Sequence, residues 1–398
     1  MPSTMHLHSA LLRSDGFVDA FGCDIHDGEC DRIARDPWYS DWGYVSVATG
    51  RNFTLYLQGN GKVTISGEHG SRSPWHREFA RSLRDGTLPQ PGYRQIAAGS
   101  AHIVLLTMDG FVLAEMDGPP SSACRIPALE GGLEYIQVAA GNRHTVLLVS
   151  DGTVRTCGLN DHGQRNIPVL EDGLMFTAVS AGEINTGFLV SDGTARLSYP
   201  GRLLDSPLFI PELPEGLVYT QISVGGDHVV LLRSDGSVVA IGHNDDGQCD
   251  IPQLTDHLVY SQVAAGARHT VLLVSDGTAL AVGCPREGLL QVPVLPEGVR
   301  YIPTPTMSKD FIVELRLRSP ASAARTPGDL EVLGYTMNGD FLFAALVGDP
   351  RSLVRPVAHE MLRVCTPRRR LPCISCRVVF ILGGMFVTRT TTWFSPST

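Results

Sequence analysis

Residues 260–277 read Tyr-Ser-Gln-Val-Ala-Ala-Gly-Ala-Arg-His-Thr-Val-Leu-Leu-Val-Ser-Asp-Gly, and related stretches recur along the 398-residue chain. A near-identical copy occupies residues 135–152. Weaker copies begin at Tyr44, Tyr93, Phe176, Tyr219 and Tyr301. The intervals between successive starts are 49, 42, 41, 43, 41 and 41 residues. A period of this length is typical of solenoids and propellers, in which each unit buries its apolar face only against its neighbours.

Within one copy the pattern predicts short antiparallel strands. Two apolar runs lie on either side of a glycine-containing loop, and the second run ends in Ser-Asp-Gly. Asp-Gly between apolar runs is a strong hairpin signal, because glycine accepts a positive φ without steric cost. A third run follows, as in residues 237–242, so each unit supplies three or four strands. This is the strand content of a propeller blade.

The pattern Gln-Val-Ala-Ala-Gly-x-x-His-Thr-Val-Leu-Leu-x-Ser-Asp-Gly, followed by Gly-x-Asn-x-x-Gly-Gln, resembles the repeat of the regulator of chromosome condensation family. The resemblance covers residues 6–318. It implies an all-β, seven-bladed β-propeller in which the two chain ends share one blade. Residues 6–43 begin in mid-unit and residues 301–318 supply the missing beginning. Phe311–Leu317 occupies the same repeat position as His8–Arg13, so one strand at this seam is expected to be redundant or displaced.

A different pattern follows the repeats. Residues 319–328 read as a linker rich in Ala, Ser, Pro and Gly. Residues 329–398 resemble a truncated ubiquitin-like β-grasp segment of the α+β class. Its expected parts are a hairpin around Asn338-Gly339, a helix over residues 350–364 and a third strand over residues 377–384.

Charge and composition exclude some partners. Residues 319–398 carry nine Arg and five acidic residues, a net charge of +4, so the total of −9 leaves −13 for the rest of the chain. An acidic repeat region repels a nucleic-acid backbone, so direct nucleic-acid binding is not expected. The longest apolar run is too short for a membrane span, and no signal peptide is recognisable. We expect a monomeric protein of the cytoplasm, with the nucleus as the alternative.

Polar residues that recur with the repeat are interpreted as structural. The repeat histidines His8, His102, His144, His228 and His269 are expected to bond backbone groups at turns. The loops beginning at Asn160 and Asn244 lack the acidic spacing of a calcium site. Cys373 and Cys376 form a lone C-x-x-C without a second close pair. The sequence therefore predicts no metal and no cofactor.

No motif of an enzyme stands out. The sequence contains no phosphate-binding P-loop, no His-Glu-x-x-His and no Gly-x-Ser-x-Gly. No catalytic residue is predicted, and the chain is not expected to be an enzyme.

The candidate partner-binding residues lie in two insertions in the early units. They are aromatic or cationic: Trp38, Tyr39, Trp42, Trp75, Arg77 and Phe79. Insertions in repeat proteins map to loops, and Trp, Tyr and Arg are frequent interface anchors. Packing of these side chains onto the seam is the alternative interpretation.

These observations favour a non-catalytic protein-interaction scaffold or regulatory adaptor that uses propeller loops. Two alternatives remain open. The first is guanine-nucleotide exchange on a small GTPase, which the resemblance implies because the founding family member has that activity. The second is a substrate adaptor in a ubiquitin-ligase pathway, since propellers of this family occur in large ubiquitin ligases.

Overall fold

The computed structural model forms two compact units, residues 1–304 and 305–398. In the first unit it describes residues 8–22, 43–66, 82, 92–116, 122–198 and 209–303, with gaps at 52, 60, 101, 256 and 286–287. In the second unit it describes the backbone of five strands.

The first unit is a seven-bladed propeller. Blade 7 begins with β1 (Ser9–Leu12) and β2 (Val18–Phe21). Blades 1 to 3 are β3–β5 (Tyr44–Thr49, Thr54–Gln58, Val63–Ser66), β6–β8 (Tyr93–Ala98, His102–Thr107, Val112–Met116) and β9–β11 (Tyr135–Ala140, His144–Val149, Val154–Gly158). Blades 4 to 6 are β12–β14 (Phe176–Ala181, Thr186–Val190, Ala195–Leu197), β15–β17 (Tyr219–Val224, His228–Arg233, Val238–Gly242) and β18–β20 (Tyr260–Ala265, His269–Val274, Ala279–Gly283). A short 3-10 helix spans Ser122–Cys124.

Each blade is an antiparallel meander whose middle strand is the most deeply buried. All six residues of β10 are buried, as are all six of β19. The hairpin between the second and third strands turns at Asp-Gly, or at residue 60 and Gly61 in blade 1. The turn glycines have φ between 77° and 87° in all seven blades. Only glycine adopts this conformation readily, so the recurring Asp-Gly of the sequence fixes the strand register.

The apolar core lies between consecutive blades. Val146 and Leu148 of blade 3, for example, pack with Val179 and Phe188 of blade 4, and all four side chains are buried. Equivalent clusters join blades 2 and 3, 4 and 5, and 5 and 6. Each blade therefore gains its hydrophobic stabilisation from its neighbours.

Both ends of the repeat region close blade 7. Tyr301 forms an antiparallel bridge with Arg13. Two backbone hydrogen bonds flank this bridge, from Ile302 N to Leu12 O (2.9 Å) and from Ser14 N to Arg300 O (2.8 Å). The single proton of the Tyr301 hydroxyl is shared between two acceptors, the Pro293 carbonyl at 2.9 Å and Asp19 Oδ2 at 3.1 Å. Residues 300–302 thus supply the missing first strand of blade 7, as the repeat pattern predicts.

The seam strand Phe311–Leu317 (β21) lies in the second unit. It pairs with β22 (Leu330–Thr336), which pairs in turn with β23 (Phe341–Val347). The expected displacement of this strand is therefore observed. The division between the units falls at residue 304, before the boundary at 318 that the sequence predicts.

The remaining predictions for the second unit have mixed outcomes. The hairpin around Asn338-Gly339 is present as the β22–β23 pair. The third strand, β24 (Cys376–Leu382), pairs with β25 (Met385–Thr391), a strand that the sequence interpretation did not include. The linker 319–328, the helix expected over 350–364 and Cys373 lie outside the described residues. The ubiquitin-like resemblance remains a prediction.

A chain of side-chain hydrogen bonds links most neighbouring blades. Nε2 of a repeat histidine contacts a hydroxyl of the next blade at 2.7–3.1 Å. The pairs are His8–Thr54, His102–Thr145, His144–Thr186, His228–Thr270 and His269–Ser9. The repeat histidines thus lie at the joints between blades. The expectation that they bond backbone groups at turns was wrong for Nε2, whose partners are hydroxyl side chains of the next blade.

The hydroxyl partners define the protonation of these histidines. Thr145, Thr186 and Thr270 donate their protons to backbone carbonyls, so the imidazole Nε2 must donate to the hydroxyl. The Nδ1 atoms of His144, His228 and His269 are buried without a hydrogen-bond partner. Burial lowers the pKa of His102 and His228 to about 4, and that of His144 and His269 to about 3. All four are therefore neutral at pH 7.

The histidine chain is interrupted at two joints. Phe53 occupies the histidine position of blade 1, and the next blade carries Ile103 where a hydroxyl would be. Asn185 occupies it in blade 4, and the next blade carries Val229. At both joints that lack the histidine, the next blade also lacks the hydroxyl. The two residues therefore occur together, as expected for partners in one contact.

Acid is expected to unfold the propeller. The folded-state pKa of the four histidines lies below the ordinary value of 6.5, so their contribution to stability is complete above pH 6.5 and is lost as the pH falls toward 4. At pH 5.5 each histidine lowers the free energy of unfolding by about 1.4 kcal/mol relative to neutral pH. Urea unfolding at pH 7.5 and at pH 5.5 measures the sum. His228→Asn, which copies the residue of blade 4, should reduce the pH dependence by about a quarter. Equal stability at both pH values would contradict the assignment.

The Tyr301 hydroxyl is expected to matter more than its counterparts because it joins the two ends of the repeat region through Asp19. Tyr301→Phe should lower the free energy of unfolding by about 2 kcal/mol, because the buried carboxylate of Asp19 loses a hydrogen-bond donor that it shares with the Pro293 carbonyl. The matched control Tyr219→Phe loses only the bond to the Pro211 carbonyl at 3.0 Å and should cost about 1 kcal/mol. Phe176 already occupies this position in blade 4, so phenylalanine fits the site. Urea unfolding distinguishes the two variants, and equal losses would argue against a special role for the closure.

Candidate binding surface on the hairpin side

The six residues predicted to bind a partner lie outside the described part of the chain. Trp38, Tyr39 and Trp42 fall in residues 23–42, and Trp75, Arg77 and Phe79 fall in residues 67–81. Their role remains a prediction. The described strands show only where the two insertions leave the propeller: after β2 and after β5, at the end of a third strand.

The other polar motifs have local structural roles. Asn160 accepts a bond from Arg165 N at 2.8 Å and donates to Asn166 Oδ1 at 3.1 Å, and Asn244 repeats this pattern with Cys249 and Asp250. In the described residues, no group of three or more His, Cys, Asp or Glu is placed to hold a metal ion. No helix among them is long and apolar enough to cross a membrane.

One residue in each blade holds a distinctive position beside the hairpins. It immediately precedes the first strand, and we call it the lead residue. In order of the chain the lead residues are Gly43, Gly92, Glu134, Met175, Val218, Val259 and Arg300. Its carbonyl accepts a hydrogen bond from the hairpin of its own blade, as in Ser191 N to Met175 O at 2.9 Å. The next residue donates to the hairpin glycine of the preceding blade, as in Phe176 N to Gly152 O at 3.0 Å. The backbone of each lead residue is therefore held between two hairpins.

Three consecutive lead residues are apolar and exposed. Met175 is 50% exposed, Val218 39% and Val259 41%. These three side chains, on blades 4, 5 and 6, are called the apolar arc. Each packs beside the hairpin glycine of the preceding blade, where a Cβ added to Gly152, Gly193 or Gly236 would lie 2.3–2.6 Å from it. Because these hairpin glycines have no Cβ, the arc side chains can lie close against the preceding blade.

Other exposed apolar residues do not form such a series. Val169 and Val294 are both 98% exposed, in the segments that cross from one blade to the next. The equivalent crossing positions of intervening blades hold Glu212 and Gln253, so the two valines are not part of a series on adjacent blades. Isolated exposed apolar residues are normal on protein surfaces, whereas a series at one structural position is characteristic of a contact surface.

The hairpins beside the arc carry fixed carboxylates. Asp151, Asp192 and Asp235 each accept two bonds on Oδ1, from the backbone N–H and the hydroxyl of the residue two positions later, at 2.7–2.9 Å. These hydrogen bonds help to hold the pKa of Asp151 and Asp235 below the ordinary value. The carboxylates are therefore charged at neutral pH and fixed in orientation.

A second charged group lies in the loops between first and second strands. Burial raises the pKa of Glu183, and the neighbouring Asp227 raises it further, while Arg51 lowers it.

Sequence reasoning missed the apolar arc because it concentrated on the insertions. A signal was present: the position before the repeat aromatic is Gly, Gly, Glu, Met, Val, Val and Arg in successive copies. The hydrophobicity of a lead residue does not by itself reveal whether its side chain is exposed. The residue after it is also hydrophobic but is buried, as Tyr219 is after Val218. Only the paired strands show which of the two faces outward.

Comparison with known proteins agrees with this architecture. Residues 135–164 and 219–248 match the model of the regulator of chromosome condensation (RCC1) repeat. Human WBSCR16 has a similar structure, with a TM-score of 0.54 and 19% identity over 69% of this chain and 86% of that chain. The CRINKLY WD40 ectodomain of the Arabidopsis thaliana receptor kinase ACR4 gives a TM-score of 0.52 and 15% identity, over 71% of this chain and 92% of that one. No curated protein matches in sequence.

The repeat match and the structural likeness concern the same blades. Residues 135–164 contain the three strands of blade 3, and residues 219–248 contain those of blade 5. At these identities the solved structures bear on the fold alone. With six three-stranded blades and a seventh closed by both ends of the repeat region, the first unit is a β-propeller, and two of its repeats match the RCC1 type.

Proposed function

We propose that this propeller is a non-catalytic scaffold that binds a protein partner through its hairpin side, at the apolar arc. One observation carries the proposal. At a structural position where the other four blades have Gly, Gly, Glu and Arg, three adjacent blades have half-exposed apolar side chains. Folding of the propeller does not require them to be apolar, since those four blades form without an apolar residue there.

The energetics of the arc suit partner binding. Full burial of a Met or Val side chain stabilises by about 1.5–3 kcal/mol, so covering half of each of the three contributes about 1 kcal/mol per residue. The backbone of each lead residue is already fixed by two hydrogen bonds, so little backbone entropy is lost on binding. A small number of fixed apolar contacts is the usual centre of a protein–protein interface.

The insertions with Trp38, Trp42 and Trp75 would form a separate surface. Phe21, the last residue of β2, pairs with Ser9, and Ser66, the last residue of β5, pairs with Thr54. Both third strands therefore end on the side opposite to the hairpins. The arc and the insertions can be disrupted independently by mutation.

Loss of the arc is expected to weaken partner binding. The variant Met175→Gln, Val218→Thr and Val259→Thr keeps the side-chain size and removes the apolar character. Affinity capture followed by quantitative mass spectrometry should show specific partners reduced about tenfold, as expected for the loss of an apolar interface centre. The control Val169→Thr and Val294→Thr alters two fully exposed valines outside the arc and should capture the same proteins as the wild type. If the arc variant also captures all of them, with the melting temperature unchanged, the proposed function of the arc is wrong.

The insertions require their own test. Replacement of Trp38, Trp42 and Trp75 by alanine should remove a set of captured proteins if these side chains are interface anchors. The arc variant serves as the reference, because the two sets are expected to differ. Unchanged capture by the tryptophan variant would support the alternative that these aromatics pack onto the seam.

The exchange-factor and ubiquitin-pathway alternatives remain predictions. Nucleotide-release kinetics with a panel of small GTPases test the first, and no acceleration over the uncatalysed rate would end it. Binding to ligase or proteasomal components tests the second.

A further inference from the structure

The surroundings of the apolar arc are strongly acidic. Six carboxylates lie in the hairpins and in the tight turns that lead into blades 4 and 5: Asp151, Asp192 and Asp235, and Glu171, Asp172 and Glu215. All six are exposed. The turn residues Glu171 and Asp172 precede Met175 by four and three positions, and Glu215 precedes Val218 by three. Carboxylates thus occur both before and beside the arc.

The cations of the same region are fewer, and two of the three are engaged within their own hairpins. Arg155 donates to Thr153 Oγ1 at 3.4 Å and to the Val154 carbonyl at 3.3 Å. Arg196 makes the same bonds in the next blade, to the hydroxyl of Thr194 at 2.9 Å and to a backbone carbonyl at 3.0 Å. With Arg233 they make three cations against six carboxylates, so these nine side chains carry a net charge of −3.

The hairpin carboxylates are preorganised to receive a cation. Both turn bonds of Asp151, Asp192 and Asp235 use Oδ1, so the turn occupies only one of the two carboxylate oxygens. The side chains cannot rotate away without breaking these bonds. A positively charged partner therefore meets fixed acceptors and gains both association rate and specificity.

We infer that the apolar arc binds a peptide segment of a partner protein in which Leu or Met side chains alternate with Lys or Arg. This inference rests on the proposed function of the arc and specifies the chemistry of its partner. The three apolar lead residues would receive the apolar side chains, and the carboxylates on both sides would receive the cations. A nucleic acid or an anionic lipid surface carries the same sign of charge as this region and would be repelled. An acidic peptide would be repelled for the same reason.

Three synthetic peptides of equal length test the inference on the full chain: leucine–lysine, leucine–glutamate and serine–lysine. Fluorescence anisotropy should give a dissociation constant for the leucine–lysine peptide about tenfold lower than for the other two. Raising the salt concentration from about 0.05 M to about 0.5 M should weaken its binding, because exposed charges are screened. Equal binding of the serine–lysine peptide, or of the leucine–glutamate peptide, would overturn the inference.

Two matched variants locate the binding. Glu171→Gln with Glu215→Gln removes two carboxylates beside the arc and should weaken leucine–lysine binding about three- to tenfold. Asp161→Asn with Asp245→Asn removes two exposed carboxylates from loops that follow third strands, and should leave the dissociation constant unchanged. If both double variants bind alike, the attraction is a general property of an acidic protein and the inference is wrong.

The outcome is distinguishable from a failure of the proposed function. If protein capture depends on the arc but the leucine–lysine peptide does not bind, the arc is an interface and the inferred partner chemistry is wrong. If the peptide binds through the arc while capture is insensitive to it, the proposed function fails and the affinity for basic apolar segments stands.

Discussion

Every blade of this propeller has an apolar side that only the next blade covers, so the fold depends on the ring being closed. Closure is achieved at one place, where residues near 301 complete the blade that begins with β1. The Tyr301 hydroxyl contacts Asp19, and Asp19 also forms an ion pair with Arg13 at 3.2 Å. The polar side chains at the two ends of the repeat region are thus satisfied together. Without this joint, two blades would expose the surface that all the others bury.

The same geometry explains why one position can differ between blades without loss of the fold. A lead residue is fixed by backbone hydrogen bonds to two hairpins, and these bonds are indifferent to its side chain. Gly43, Val218 and Arg300 therefore occupy equivalent places in one ring. The inner strands have no such freedom, because their side chains fill the space between blades. We therefore expect the repeats to differ in their binding residues at positions that are fixed by backbone hydrogen bonds alone, because the side chain there is free to vary.

Much of the fold could be predicted from the sequence, because the repeat contains its own structural signals. The Asp-Gly hairpins, the apolar runs and the count of seven copies each indicate a propeller. The candidate site could not be predicted in the same way. Met175 is half-exposed, whereas the adjacent Phe176 is buried. This difference follows from the pleat of the paired strands, which places successive side chains on opposite sides even when their hydrophobicity is similar. The aromatic insertions are recognisable from their composition, but composition does not show where a side chain lies in space.

The seam shows how specific contacts select between similar strands. Residues 8–13 and 310–317 both present an apolar run at the same phase of the repeat, so hydrophobicity alone does not choose between them. The two differ at the start of the run. His8 and Ser9 contact Thr54 and His269 through buried hydrogen bonds, whereas Asp310 and Phe311 would stand at these positions in the alternative strand. Phenylalanine has no group to bond the Nε2 of His269, and a carboxylate in place of His8 would be buried at a cost of several kcal/mol. The histidine–hydroxyl chain therefore selects β1 for the ring, and Phe311–Leu317 is left to pair with β22.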